Sequence, residues 1–169
     1  MSRIKPLEVV SLTGHITFIY RRVGARTSHL QKPGVGEIVR VSEYTNLIVT
    51  TGKVAVARRL AGDLSVANAG EITFGSVGTG TNVPAVADTT LQTEFFRKIL
   101  SVRTFSSNKA ILQMFMNSSE GNANLREFGL FGEAASAAAD SGTLFNRVNI
   151  TEDKTAATTL TIEAEITVG

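Results

Sequence analysis

Leu160-Thr161-Ile162-Glu163-Ala164-Glu165-Ile166-Thr167-Val168 alternates apolar and polar residues without a break. Successive side chains of a strand point to opposite faces. This stretch therefore sets Leu160, Ile162, Ala164, Ile166 and Val168 against a core and turns Thr161, Glu163, Glu165 and Thr167 to water. A helix would put Glu163 and Ile166 on the same side, so the helical reading fails.

The same period recurs upstream. Ile16, Phe18 and Tyr20 alternate with Thr17 and Ile19. Phe96, Lys98, Leu100 and Val102 share one face of a segment after Glu94. Leu112, Met114 and Met116 share a face of the next, with Ser106-Ser107-Asn108 as the hairpin turn between them. Leu144 to Ile150 and Ile72 to Val77 read as further strands, and Val39 with Val41 marks one after Pro33-Gly34. Abundant Thr and 15 glycines agree with strands and turns. One segment departs from the pattern: Thr50 or Thr51 can cap a helix over residues 52–61, stopped by Gly62, with Val54, Ala57, Arg58 and Ala61 on one side. A further helical turn can begin at Asp88. The expected fold is mainly β, an antiparallel β-sandwich of jelly-roll type with one short helix near 52–61.

The 169 residues fit one domain spanning 1–169, with an extended N-terminal arm over about 1–10 and a long polar loop over about 21–36. Glu133 to Gly142 is a second loop, rich in Ala and Ser. The absence of cysteine suits a reducing cytoplasm. The N-terminus has no signal-peptide core and no run is long enough to span a bilayer, so a soluble protein without a membrane partner is expected. With 17 Lys+Arg against 15 Asp+Glu the net charge is only +2, too small and too dispersed for specific nucleic-acid binding.

Nothing in the sequence favours catalysis. Gly75-Ser76-Val77-Gly78-Thr79-Gly80-Thr81-Asn82 is followed by Val83-Pro84 rather than a helix, so it reads as a turn and not a phosphate cradle. His15 and His29, without cysteine or paired-ligand spacing, make no metal site. Glu163 and Glu165, about 7 Å apart on the wet side of a strand, have no means of splitting their pKa values. No Gly-x-Ser-x-Gly elbow is present. No enzyme, cofactor or metal is expected.

An ordered series runs through the last three quarters of the chain. It comprises Asn46-Leu47-Ile48-Val49, Gly52-Lys53, Ile72-Thr73-Phe74-Gly75, and Gly78-Thr79-Gly80-Thr81 with Pro84 and Ala85. Asp88-Thr89-Thr90-Leu91 with Glu94 follows, then Asn124-Leu125-Arg126-Glu127-Phe128-Gly129-Leu130-Phe131 and Gly142-Thr143-Leu144-Phe145-Asn146-Arg147. In order and spacing this series resembles structural proteins of the neck and tail of tailed bacteriophages; residues 1–45 carry none of it. The resemblance implies a virion component of the neck, tail or fibre-attachment region, assembled in the host cytoplasm as a homo-oligomeric ring or trimer against other virion proteins. The alternatives are a capsid decoration protein and a carbohydrate- or receptor-binding module; the latter is disfavoured by the lack of Trp and by only Tyr20 and Tyr44 as tyrosines. Gly78, Gly80, Asp88, Glu127, Gly129, Phe131 and Gly142 are then fold-forming residues. The polar arm and loop supply the expected subunit contacts, Arg3, Lys5, Arg21, Arg22 and Arg26.

Overall fold

The computed structural model describes residues 11–24, 26 and 28–169. In chain order these form β1 (Leu12–Arg22), β2 (Ile38–Ile48), α1 (Thr50–Leu60), β3 (Ile72–Gly78), β4 (Glu94–Ile99), β5 (Val102–Ser106), β6 (Lys109–Met116), β7 (Asn124–Gly132), β8 (Thr143–Asp153) and β9 (Thr158–Val168), with a 3-10 turn at Ser28–Leu30. All pairings are antiparallel, and the order β4-β3-β7-β8-β2-β1-β9-β6-β5 is one curled nine-stranded sheet, a half-barrel.

Two devices curl it. Strand β2 pairs with β1 from Ile38 to Asn46, but only Leu47 and Ile48 pair with β8, so one strand serves both halves of the sheet. At the far edges, β4 and β5 are separated by Leu100 and Ser101 alone. The Leu100 N–H donates to Thr73 O of β3 and the Ser101 N–H to Gln113 O of β6, which draws the two edges together. The segment read as one strand from Glu94 to Val102 is therefore two, broken where the chain passes between halves.

The concave face holds the main core. Ile16, Phe18 and Tyr20 of β1 meet Leu160, Ile162 and Ile166 of β9, Met114 and Met116 of β6, and Phe128 and Leu130 of β7. The Phe18 ring meets those of Tyr44 and Phe128 edge-on, with centroids 5.5 and 5.9 Å away, joining the two halves. A smaller cluster of Val49, Leu91, Phe131 and Leu144 sits beneath the loops between β3 and β4 and between β7 and β8. The alternation of β9 is as expected: Leu160, Ile162, Ala164 and Ile166 are buried while Glu163 and Glu165 bond Gln113 and Lys109. The hairpin turn at Ser107-Asn108 also holds, with Ser107 at φ 55°.

Several local expectations need correction. Helix α1 begins at Thr50 with Val49 in the N-cap position and no side-chain cap; the Thr51 hydroxyl instead donates to Leu144 O at 2.7 Å. Its buried residues are Gly52 and Ala55, not the stripe of Val54, Ala57, Arg58 and Ala61, because the helix docks by its smallest side chains against β8. A Cβ at Gly52 would collide with the Phe145 carbonyl. Asp88 starts no helix: it closes a turn, its N–H donating to Ala85 O and its carboxylate accepting the Ala85 N–H. The strand marked by Val39 and Val41 is present as β2, with both residues exposed and Tyr44 packed against the core.

Candidate functional site

A charge in the middle of a buried strand has to be paired, because desolvation without compensation costs several kcal/mol. Glu127 of β7 is fully buried, and the chain is arranged around its carboxylate. Oε1 accepts the N–H groups of Gly80 (3.1 Å) and Thr93 (2.7 Å), and Oε2 that of Gln92 (2.9 Å). The Arg147 guanidinium of β8, itself buried, donates to Oε2 from Nε at 3.0 Å and from Nη2 at 2.8 Å. Its Nη1 reaches Asp88 Oδ2 at 2.7 Å and its Nη2 also reaches Asn82 O at 3.1 Å. One buried ion triad thus fixes both ends and the middle of the 79–93 loop. Burial alone would raise the Asp88 pKa, but the Ala85 N–H and Arg147 outweigh it and hold that carboxyl below its ordinary range.

The glycines make room for this clamp. A Cβ on Gly80 would lie 2.5 Å from Glu127 Oε1, and one on Gly78 would meet the same oxygen and Thr93 O. Gly129 allows β7 to approach Asn146, whose Oδ1 accepts the Leu130 N–H at 2.9 Å. Gly142, at φ 77° and pressed against Gly132 O and Ala135, turns the chain into β8. Phe131 lies beneath the Arg97 guanidinium, 4.1 Å from the ring centre. The structure places Gly78, Glu127, Gly129 and Phe131 on β3 and β7, and Gly80, Asp88 and Gly142 in the loops that join β3 to β4 and β7 to β8.

Three further ion pairs, each with a buried carboxylate, were not read from sequence. Glu94 and Arg97 form a fork at 2.7 Å; Arg97 continues to Ser141 O at 2.7 Å and Glu94 takes the Asp140 N–H, so the Ala- and Ser-rich loop is anchored rather than loose. Glu133 joins that loop to α1 through Arg58 Nη1 at 2.9 Å and to the Gly70 N–H at 3.1 Å. Glu152 meets Arg40 at 2.6 Å and the Tyr44 hydroxyl at 2.8 Å where β2 and β8 diverge, and burial next to that carboxylate drives the Tyr20 pKa far upward. Glu94, Arg97, Arg40 and Glu152 are charges within strands, whereas Glu133 follows β7 and Arg58 lies on α1.

Of the expected contact residues, Arg3 and Lys5 fall outside the described residues. Arg21 and Arg22 are not loop residues: they end β1, opposite Thr159 and Thr158 of β9. Arg21 Nη1 donates to Gly36 O and exposed Arg22 faces Glu37, while Arg26 is exposed in a turn. The loop after them is tied down by Val23 N–H to Ala157 O and by Ser118 to the Gln31 side chain. His15 faces Glu43 at 3.9 Å, and His29 lies exposed in the 3-10 turn.

Apolar surface collects at the end of the sheet where α1 docks. Two adjoining hollows of about 620 and 340 Å³ share Leu12, Val56 and Val168. Leu60 and Phe105 stand at their rims, 84% and 80% exposed. Among the described residues no group of three His, Cys, Asp or Glu side chains could hold a metal ion, and no helix is long and apolar enough to cross a membrane. Compared with known proteins, the chain matches no family model, no curated protein and no solved structure.

Proposed function

We propose that this chain is a structural component of a tailed-phage virion, in the neck, tail or fibre-attachment region. It works by assembling into a homo-oligomeric ring or trimer and by contacts with other virion proteins. One observation carries the reading. Gly78, Gly80, Asp88, Glu127 and Arg147, which belong to the series resembling phage structural proteins, meet in one buried clamp that holds a long surface loop. Both Glu127 carboxylate oxygens and all three Arg147 nitrogens bond the chain's own backbone and side chains, which is how residues behave when a family reuses them for architecture. The sandwich of jelly-roll type belongs to the same proposal, and its support is the change of partner by which β2 joins the two halves of the curled sheet.

The test is immunogold labelling of whole particles of the phage encoding the chain. Label at the neck or tail supports the proposal. Label spread over the capsid would transfer the chain to the decoration class, and particles without label would remove it from the virion altogether.

A further inference from the structure

We infer that two copies of the chain pair edge to edge along β5, antiparallel about a two-fold axis through Thr104. The contact is isologous and closes a pair, so it is additional to the ring or trimer contacts proposed above and does not rest on them.

An open sheet edge carries backbone groups that another strand can take up, and proteins blunt such edges with bulges, prolines or charges. The two edges of this sheet differ in that respect. Strand β4 has a register shift against β3, and its Glu94 and Arg97 are bound to the loop over 133–142. Strand β5 reads Val102-Arg103-Thr104-Phe105-Ser106, without proline, and pairs with β6 along its whole length without a shift. Its edge is displayed: Phe105 is 80% exposed, and Arg103 and Thr104 beside it are exposed too.

The hairpin turn decides which groups the edge offers. Ser107-Asn108 closes on the Ser106–Lys109 pair, so Ser106 and Thr104 direct their backbone groups to β6. Arg103 and Phe105 direct theirs outward, and these bond nothing else among the described residues. The side chains of both stand opposite Leu112 and Ala110, on the core side of the sheet.

The side chains decide the register. A ladder centred on Thr104 sets Arg103 of each copy opposite Phe105 of the other, and each such pair exchanges both of its backbone hydrogen bonds. Every outward group is then used. The guanidinium also meets the aromatic ring, as Arg97 meets Phe131 within the chain. Centring on Arg103 would set like charges face to face, and centring on Phe105 would set Arg103 against the turn at Ser107. There is room for the incoming ring: a hollow of about 490 Å³ beside Arg103 is bounded by Ile72, Leu112 and Arg59. Glu71, 3.4 Å from Arg103, holds the cation at its rim.

The chain has no native cysteine, which allows a direct test. Across the two-fold axis Thr104 meets itself at a non-hydrogen-bonded position, where Cα atoms lie about 4.5 Å apart and a disulfide can form. The full chain carrying Thr104→Cys, mildly oxidised, should give a linked dimer much faster than Ser106→Cys, an exposed neighbour that would face Val102 of the other copy. Equal rates, or no dimer, overturn the pairing. Phe105→Lys sets like charges opposite each other and should weaken dimerisation about tenfold or more by sedimentation, with the far-UV circular dichroism unchanged. Undiminished dimerisation in that variant overturns the pairing as well. A wild-type chain found only as a trimer overturns it and leaves the proposed assembly standing, whereas a chain monomeric at every concentration overturns both.

Discussion

Glu127 concentrates much of what can be tested at a single residue. Replacing it by Gln keeps the shape but removes the charge that balances Arg147 and puts a donor where three backbone N–H groups already point. Breaking a buried pair from one side costs about 3–5 kcal/mol. Urea unfolding of Glu127→Gln should show a loss of that order; a change below about 1 kcal/mol would mean the 79–93 loop is held by other contacts. Lys154 offers a second test. It is buried, donating to Asn117 O at 2.8 Å and Asn122 Oδ1 at 2.9 Å; burial lowers its pKa to about 8 against a smaller upward pull from Glu120. The folded value lies below the ordinary 10.5, so between the two the unfolded chain holds the extra proton and stability rises with pH. The neutral amine still donates to both oxygens, so the gain is not offset by lost hydrogen bonds. The urea midpoint of wild type should climb from pH 8 to 10 relative to Lys154→Met, and parallel curves would contradict this. The clamp itself was half legible in the sequence. Gly78, Gly80, Asp88 and Glu127 stand out by order and spacing. Glu94–Arg97 and Arg40–Glu152 do not, because a charge on an alternating strand looks solvent-facing until the loop that covers it is known.

Among the elements, β9 and the β5–β6 hairpin were legible because their period and turn residues are local properties. Helix α1 was legible as a helix but not in its docking: the apolar stripe suggested by Val54 and Ala57 is exposed or partly so, and contact is made through Gly52 and Ala55. Close approach of backbone to backbone leaves no hydrophobic signal. Gly52→Ala should push the helix off Phe145 O and cost about 1–3 kcal/mol by overpacking, although alanine is the better helix former. A variant as stable as wild type by thermal melting would show that α1 can shift without penalty. The ends of β1 were misread for a related reason. Arg21 and Arg22 look like the start of a loop, yet β9 opposite them continues through Thr158 and Thr159 and keeps them in the ladder.

At the scale of the whole molecule, three carboxylates act together on acid stability. Burial opposes ionisation at Asp88, Glu94 and Glu120, but Arg147, Arg97 and Lys98, with backbone N–H groups, outweigh it, so all three are held below their ordinary values. Their contribution is complete above the ordinary carboxylate range, near 3.8 for Asp and 4.5 for Glu, and is lost as pH falls through the lower folded values. The thermal midpoint should therefore fall steeply below about pH 4, and less steeply in Glu94→Gln. An acid limb identical in that variant would exclude Glu94 from the effect. The curl of the sheet was the least legible feature, since it depends on β2 changing partners and on the edges meeting across Leu100-Ser101, and neither leaves a local pattern. The position of β9 between β1 and β6 has one more consequence. During synthesis, β1 is the first of the nine strands to leave the ribosome, yet its partner on that side is the last of them. Until β9 follows, the nascent chain presents Ile16, Phe18 and Tyr20 with no β9 to cover them. A premature stop before Thr158 would strand the product in that state, open to chaperones and proteases.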